Sequence, residues 1–303
     1  MTRQEQYYKD NKGVNVVEKQ KSNILKFKEM KQQGKKITMV TTYDFSMMCQ
    51  VDKTEIDMIL VGDSAANTMM GYEGTMHIDL DTMLVFCKAV ANAAKHTFMV
   101  ADMPFMTYEI GPEHAMLNAG RMIREGHADA LKLEGGERIA HTVAALVKAG
   151  IPVMGHIGLT PQSALQLGGF KVQGKSLESA KQLVKDALAL EQAGAFAITL
   201  EGIPSPVAKI ITANVQVPTI GIGAGCDCDG QVLVIHDLLG LFDRYIPKFV
   251  KRYANLGDDM QKAINTYCAE VRDGAFPDEA HSFSMSKEIE EQLTDELHKD
   301  GIL

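Results

Sequence analysis

Short apolar runs alternate with helix-period segments over most of this sequence, and this alternation limits the possible folds more than any other feature. The apolar runs predict strands at residues 37–43, 58–61, 98–101, 130–133, 153–157, 195–200 and 219–222, with a weak eighth at 248–250. Helical spacing marks the stretches between them, for example residues 79–95, 112–125, 137–149 and 176–193. A strand followed by a helix, eight times within about 220 residues, is typical of an α/β fold that closes as a (β/α)8 barrel, the TIM barrel.

A doubly wound open sheet is the alternative fold for such an alternation, and it commonly carries a dinucleotide-binding glycine motif. The glycine run here is Gly221, Gly223 and Gly225, and Cys226 occupies the position where G-x-G-x-x-G requires its third glycine. The run therefore favours the barrel. We predict a flexible N-terminal arm at residues 1–21, a barrel with an N-terminal helix and a C-terminal helical extension at residues 22–283, and a charged tail at residues 284–303.

Composition limits the partners and the location of the protein. The formal net charge is −8 and the basic residues are scattered, which argues against a nucleic-acid partner. No apolar run reaches the roughly 20 residues that span a bilayer, and the polar N-terminus lacks the apolar core of a signal peptide. Five dispersed cysteines argue against a disulfide framework, and we interpret Cys226 and Cys228 as structural. We expect a soluble, cytoplasmic protein without membrane contact.

Residues 130–136, ALKLEGG, predict a short strand that ends in two glycines. Because side chains alternate between the two faces of a strand, Lys132 and Glu134 point the same way. A cation and an anion side by side at a strand end can bind a ligand, but a solvated edge strand with an ion pair has the same pattern. The functional interpretation gains support because other predicted strands also end in an acid.

Polar and ionisable residues stand at the ends of five successive predicted strands. In chain order they are Asp63 and Ser64, Asp102, Lys132 and Glu134, His156, and Glu201. Active sites of (β/α)8 barrels lie at the carboxyl ends of the strands, so we expect these side chains to converge on one rim. Carboxylates this close cannot all stay ionised without a cation, and hard oxygen donors favour Mg²⁺ over Zn²⁺. The alternative is that each acid is a helix N-cap or a surface residue.

A Mg²⁺ ion at a barrel mouth suits chemistry on an α-keto acid, whose carboxylate and keto oxygens chelate the ion while an enolate forms. Such a reaction needs a base that is not bound to the metal. Glu201, on the far side of the predicted barrel, is the candidate base. Lys132 can neutralise the charge of the substrate carboxylate or of the enolate.

Several other residues near the predicted site have open roles. Tyr43 and Asp44 follow the first strand and form either a wall of the site or a structural turn. His156 either positions a neighbour or contacts substrate. The glycine-rich stretch at residues 165–175 is a candidate lid, and the glycine run after the seventh strand is a candidate phosphate site.

Sequence strings spread along the chain resemble those of the ketopantoate hydroxymethyltransferase family. They are TTYD, LVGDS, ADMPF, KLEGG, GHIGLTPQ, GGFKVQGK, LEGIP, GIGAG followed by DGQ, and YIPKF, in unbroken order from about residue 22 to residue 283. The resemblance implies a barrel similar to those of the phosphoenolpyruvate mutase and isocitrate lyase group. It also implies transfer of a hydroxymethyl unit from 5,10-methylenetetrahydrofolate to 3-methyl-2-oxobutanoate, giving 2-dehydropantoate in pantothenate biosynthesis.

The resemblance also implies roles for individual residues. Asp63, Asp102 and Glu134 match the family's Mg²⁺ site, Ser64 and Lys132 with both aspartates match its keto-acid contacts, and Glu201 matches its proton acceptor. We place His156 with the substrate-binding residues. Residues 65–67, Ala-Ala-Asn, stand where the family has a bulkier sequence, which bears on the shape of the pocket. Family members are commonly homodecamers of two stacked pentamers, so a homo-oligomer is expected.

Two rival functions differ from this transferase in a recognisable way. A lyase of the mutase group usually carries a catalytic cysteine in a Lys-Lys-Cys-Gly-His type of loop, and this sequence contains no such loop. A catalytically idle barrel could serve as an oligomeric binding scaffold, but the intact ionisable residues at the strand ends argue against that interpretation. Turnover of the keto acid with methylenetetrahydrofolate distinguishes all three.

Overall fold

A computed structural model describes residues 21–242 and 246–303 of the chain. The predicted N-terminal arm therefore lies outside the described residues, apart from Lys21 at its end. The chain divides into two compact units between Tyr253 and Ala254. The domain boundaries expected at residues 22 and 284 stay predictions.

Eight parallel strands of the first unit close into a barrel, in which each strand pairs with its sequence neighbours and the first pairs with the last. The strands are β1 (Ile37–Thr41), β2 (Met58–Val61), β3 (Phe98–Asp102), β4 (Ala130–Glu134), β5 (Val153–Gly158), β6 (Ala197–Glu201), β7 (Thr219–Ile222) and β8 (Gly230–Leu233). Most of their residues are buried, because helices cover the outside of such a sheet and its own side chains fill the inside. The predicted barrel is thereby confirmed.

Helices precede and surround the strands. In the described part of the first unit they are α1 (Ile24–Gln32), α2 (Phe45–Val51), α3 (Ala65–Thr68), α4 (Leu80–Ala93), α5 (Pro112–Arg124), α6 (Ala140–Lys148), α7 (Ala164–Leu167), α8 (Leu177–Gln192), α9 (Ser205–Asn214) and α10 (Ile235–Leu239). Side-chain caps set several of their starts. Asp44 accepts a hydrogen bond from the Met47 amide at 2.9 Å, and Asp79 accepts one from the Thr82 amide at 2.8 Å.

The eighth strand is not where the sequence pattern placed it. β8 pairs with β7 and β1 at Gly230–Leu233, whereas the predicted strand at residues 248–250 lies in a turn. The prediction was wrong because it required a helix between the last two strands. The connection between β7 and β8, residues 223–229, contains no helix.

Strand residues alternate between the barrel interior and the surrounding helices. On β4, Ala130 packs in the interior cluster while Leu131 and Leu133 pack in the outer one. Helix α1 contributes Phe27 to the interior cluster, where its ring lies 5.3 Å from that of Phe98, the first residue of β3. Helix α1 therefore closes the amino-terminal end of the barrel and leaves the carboxyl end for polar side chains.

The second unit contains the helices α11 (Leu256–Arg272) and α12 (Lys287–Lys299), with a 3₁₀ turn at Glu279–His281 between them. Helix α11 lies in the expected C-terminal helical extension, and the segment predicted as a charged tail contains α12. Neither helix has a buried residue. Across the part of the chain that the structure describes, no helix combines the length and apolar character needed to cross a bilayer.

Gly158, the last residue of β5, is a position where the barrel tolerates no side chain. Its φ is +99°, and an added Cβ would lie 2.2 Å from the backbone oxygen of Glu201. Gly150 has a similar φ of +88°, but no atom lies within 4 Å of the corresponding Cβ. Comparing alanine variants at Gly158 and Gly150 therefore distinguishes the cost of steric overlap from the cost of backbone strain.

We expect Gly158→Ala to lower the melting temperature much more than Gly150→Ala. Both variants bear the roughly 1–2 kcal/mol cost of a left-handed backbone for a residue with a Cβ. Gly158→Ala adds about 1–3 kcal/mol from overpacking. Differential scanning calorimetry of the two variants measures the difference, and equal melting temperatures would contradict the close approach of β5 and β6.

Candidate active site

The carboxyl ends of the strands surround a small cavity, called here the inner cavity. Its volume is about 90 Å³. All the residues that sequence analysis assigned to the site line it: Asp63, Ser64, Asp102, Lys132, Glu134, His156 and Glu201. None of the four acids among them is the N-cap of a helix, so that alternative does not explain their positions.

Parallel strand register explains why distant residues meet here. Asp102 of β3 pairs with Lys132 of β4, and Glu134 of β4 pairs with His156 of β5. Side chains on one face recur every second residue, so Lys132 and Glu134 both face the cavity, as the sequence predicted. The register therefore places a cationic side chain beside each of two buried acids.

Lys132 forms the shortest ion-pair contact among the described residues of the inner cavity. Its Nζ lies 2.7 Å from Asp102 Oδ1, and the Lys132 side chain is 5% exposed. Burial favours the neutral amine, but the charges of Asp102, Glu134 and Asp63 outweigh it and raise the pKa of Lys132. The side chain therefore stays an ammonium ion that can pair with a substrate carboxylate.

The acids of the inner cavity repel one another. Burial, followed by the charges of Asp102 and Glu134, raises the pKa of Asp63 well above its usual value. Burial also raises the pKa of Asp102, although Lys132 opposes this change. Burial also acts to raise the pKa of Glu134, but His156 and Lys132 outweigh this effect and lower the pKa. The two aspartates thus lie where additional positive charge would favour their ionised forms.

The donor set of the inner cavity fits a hard divalent cation. Asp63, Asp102 and Glu134 offer carboxylate oxygens, and Glu134 Oε1 is buried without an aligned hydrogen-bond donor among the described residues. In that part of the chain no group of three or more His, Cys, Asp or Glu side chains is arranged so that it could by itself hold a metal ion. Mg²⁺ does not need one, because it commonly uses one or two carboxylates together with water and substrate oxygens.

His156 lies between two carboxylates. Its Nε2 is 3.2 Å from Glu201 Oε2, and its Nδ1 is 3.4 Å from Glu134 Oε1. Burial and the Lys132 charge lower the pKa of His156, but its close contacts with the Glu134 and Glu201 carboxylates prevail and raise the pKa to about 9. His156 Nδ1 also lies 3.1 Å from Lys132 Nζ, so the ring is in contact with the ammonium group and with both carboxylates.

Gln162 is a site residue that the sequence analysis missed. Its side-chain Nε2 donates to Asp63 Oδ2 at 2.8 Å and to the Met103 carbonyl at 3.0 Å, and its Oε1 accepts from the Tyr108 hydroxyl at 2.8 Å. The Gln162 amide donates to Glu134 Oε2 at 2.9 Å. One buried residue therefore fixes two of the three acids. The signal in the sequence was its place at the end of GHIGLTPQ, directly after β5.

The open roles around β1 are resolved by contacts. The hydroxyl of buried Tyr43 lies 2.8 Å from Ser64 Oγ, and burial raises the pKa of Tyr43 to about 12. Tyr43 therefore contacts Ser64 without lining the inner cavity itself, whereas Asp44 is the N-cap of α2. Ala65 and Ala66 are fully buried and do not line the inner cavity.

A larger cavity, called here the outer cavity, adjoins the inner one. Its volume is about 1100 Å³, and Ser64, Glu201 and Val234 line both cavities. The candidate lid contributes Phe170 and Val172 to its lining. The candidate phosphate loop contributes Gly223 and Gly225 to the lining. Phe249, which the sequence pattern assigned to a strand, also lines the outer cavity.

Comparison with known proteins identifies the family. A model of the ketopantoate hydroxymethyltransferase family matches residues 21–279. The chain belongs to this family. A 3-methyl-2-oxobutanoate hydroxymethyltransferase of Heliobacterium modesticaldum is 56% identical over 262 residues, which cover 86% of this chain and 95% of that protein. One of Clostridium acetobutylicum is 53% identical over 268 residues, covering 88% and 97%.

Solved structures with low sequence identity share the fold. Phosphonopyruvate hydrolase, in complex with oxalate and Mg²⁺, has a TM-score of 0.53 and 14% identity, with 91% of this chain and 96% of that chain covered. 2,3-Dimethylmalate lyase, a member of the PEP mutase/isocitrate lyase superfamily, has a TM-score of 0.54 and 17% identity, with 92% and 97% covered. These likenesses establish the barrel fold alone, and they agree with the similarity of fold that the sequence strings implied.

Replacing Gln162 tests the hydrogen-bond network around the acids. We expect Gln162→Met, which keeps the size of the side chain, to lower the free energy of unfolding by about 1–3 kcal/mol, because buried Asp63 loses its amide donor. Gln166→Met in nearby α7 is the control, since Gln166 is exposed. Surface changes of this kind usually alter stability by less than about 0.5 kcal/mol.

Urea unfolding of both variants measures this difference. Equal midpoints for Gln162→Met and Gln166→Met would contradict the role of Gln162 in holding Asp63.

Proposed function

We propose that this chain is a 3-methyl-2-oxobutanoate hydroxymethyltransferase. It transfers the one-carbon unit of 5,10-methylenetetrahydrofolate to 3-methyl-2-oxobutanoate, and with one water the products are 2-dehydropantoate and tetrahydrofolate, a step of pantothenate biosynthesis. The observation that carries the proposal is the convergence of Lys132, three buried acids and Glu201 on one inner cavity. Sequence identities of 56% and 53% to two transferases that are named for this reaction support the choice of substrate.

The inner cavity suits a small branched keto acid. Lys132 pairs with the substrate carboxylate, and Ser64, Asp63, Asp102 and His156 complete the polar contacts. Apolar side chains line the same cavity and accept the branched alkyl group; they are Leu60, Ile222, Val232 and Val234. The volume of about 90 Å³ excludes a reactant as large as folate from this position.

Asp63, Asp102 and Glu134 are the residues that would hold Mg²⁺. A bound Mg²⁺ would act as a Lewis acid that stabilises negative charge on the keto oxygen. Lys132 contributes to the same end, because its buried ammonium lies beside Asp102 and its positive charge acts at short range in a medium of low polarity.

Glu201 is the proposed proton acceptor. Its side chain is 17% exposed, more than the 2% of Glu134, and it lies at the boundary of the two cavities. The C–H bond at the branched carbon breaks, its proton passes to the Glu201 carboxylate, and the electron pair forms the new bond to the methylene carbon. The two bonds from that carbon to folate nitrogens break, and water supplies its hydroxyl group. The two nitrogens take up one proton from water and the one released by Glu201, which gives tetrahydrofolate. His156 holds Glu201 in place, because its Nε2 lies 3.2 Å from Glu201 Oε2.

The chain is further proposed to form a homodecamer in the cytoplasm. The resemblance to decameric family members supports this assembly. Exposed apolar residues recur on α11 at helical spacing and offer a face for association: Met260, Ile264, Tyr267 and Val271. Sedimentation velocity measures the assembly, and a monomer at micromolar concentration would exclude it.

Solvent exchange of the keto-acid C–H tests the role of Glu201 separately from folate chemistry. We expect the wild type to exchange this proton for deuterium without folate, and Glu201→Gln to slow the exchange about 100-fold or more, because the amide cannot accept the proton. Glu178→Gln, at an exposed position of α8, is the matched control. Proton NMR in D₂O follows the signal.

The same assay examines the metal and the whole reaction. EDTA is expected to suppress exchange and added Mg²⁺ to restore it, and full turnover should appear when methylenetetrahydrofolate is supplied. Undiminished exchange in Glu201→Gln would remove Glu201 as the base. Absence of turnover in the wild type with Mg²⁺ would refute the proposed function.

A further inference from the structure

The outer cavity joins the inner cavity at the proposed base. Ser64, Glu201 and Val234 line both, so the two spaces meet at these side chains. The outer cavity has a volume of about 1100 Å³ and the inner one about 90 Å³. A reactant much larger than a keto acid must therefore approach Glu201 through the outer cavity.

Aromatic side chains from separate segments line the outer cavity. Tyr72 follows α3, Phe170 lies in the stretch 165–175, and Phe249 follows α10. These three side chains are 40%, 60% and 40% exposed. Such apolar area in a concave site is suited to a flat aromatic ligand, which removes it from water by stacking.

We propose that the outer cavity binds the pterin and aminobenzoyl rings of a reduced folate, with its one-carbon unit directed at Glu201. The inference rests on the proposed function, because it takes a folate as the second reactant. The carbon that loses its proton to Glu201 bonds to the methylene carbon, so both reactants must meet beside that carboxylate. The outer cavity reaches that position.

Polar residues of the outer cavity match the two ends of a folate. A pterin carries an amino group and a ring N–H that together donate to one carboxylate, and the half-buried Asp237 supplies such an acceptor. The glutamate end of a folate is anionic. Lys248, exposed in the lining, supplies the opposite charge.

Charge argues against the phosphate site suggested by the glycine run. Gly223 and Gly225 do line the outer cavity. Among its described lining residues, however, three are acids (Glu73, Glu201 and Asp237) and only Lys248 is basic. A phosphate dianion would be repelled there, whereas a neutral pterin would not.

Phenylalanine variants test the folate site. We expect Phe170→Ala and Phe249→Ala each to raise the KM for methylenetetrahydrofolate and the Kd for tetrahydrofolate about tenfold or more, because a stacking surface is lost. Asp237→Asn should act in the same direction. Phe45→Ala is the matched control, since Phe45 is 51% exposed and does not line the cavity.

Two measurements separate this inference from the proposed function. Equilibrium dialysis with tetrahydrofolate measures binding directly, and deuterium exchange of the keto acid without folate reports on the inner cavity. A raised Kd for folate, with exchange still proceeding in the variants, supports the inference. Unchanged KM and Kd in all three cavity variants would overturn it, whereas failure of keto-acid exchange in the wild type would instead count against the proposed function.

Discussion

An excess of carboxyl groups over cationic side chains, buried at the mouth of the barrel, is the constraint on which the rest of the site depends. Asp63, Asp102 and Glu134 lie with Lys132 and His156, and each of these residues is at most 5% exposed. Removing an ion from water costs several kcal/mol, which nearby opposite charge must offset. Strand register supplies that charge by placing Lys132 beside Asp102 and His156 beside Glu134. The carboxylates still outnumber the cations, and this imbalance is what makes a divalent cation a fitting ligand.

The layered interior of the barrel confines this charge to one end. On β3 the inward side chains pass from Phe98 through Val100 to Asp102. The change from an apolar to an ionised interior thus takes place within two residues of strand. Apolar layers below, closed by Phe27 of α1, prevent water from reaching the acids from the opposite end. The polar layer is therefore open only toward the cavities, where substrate and cation would enter.

Local patterns predicted seven of the eight strands and the polar residues at their ends, because short apolar runs mark buried strands and the residues that close each run mark where a strand ends. The same reasoning failed at β8, whose four residues follow β7 without an intervening helix. The role of Gln162 was missed for another reason. Its partners Asp63 and Tyr108 lie 99 and 54 positions away, so its role arises from tertiary contacts alone. The roles of the site residues rest on chemistry and on the family resemblance, since spacing shows where side chains meet but not what they bind.

Glu134 and Glu201 differ in exposure to solvent, and this difference suits them to different proposed roles. Glu134 would hold a cation, and Glu201 would accept the proton. Glu134 is 2% exposed and fixed by the Gln162 amide, so its carboxylate cannot readily reorient or exchange protons with solvent. Glu201 is 17% exposed and contacts His156 by one oxygen. A base must release each proton it accepts before the next turnover, and solvent access through the outer cavity permits this. An acid as enclosed as Glu134 has no comparable path to solvent, which is why the less buried of the two carboxylates is suited to act as the base.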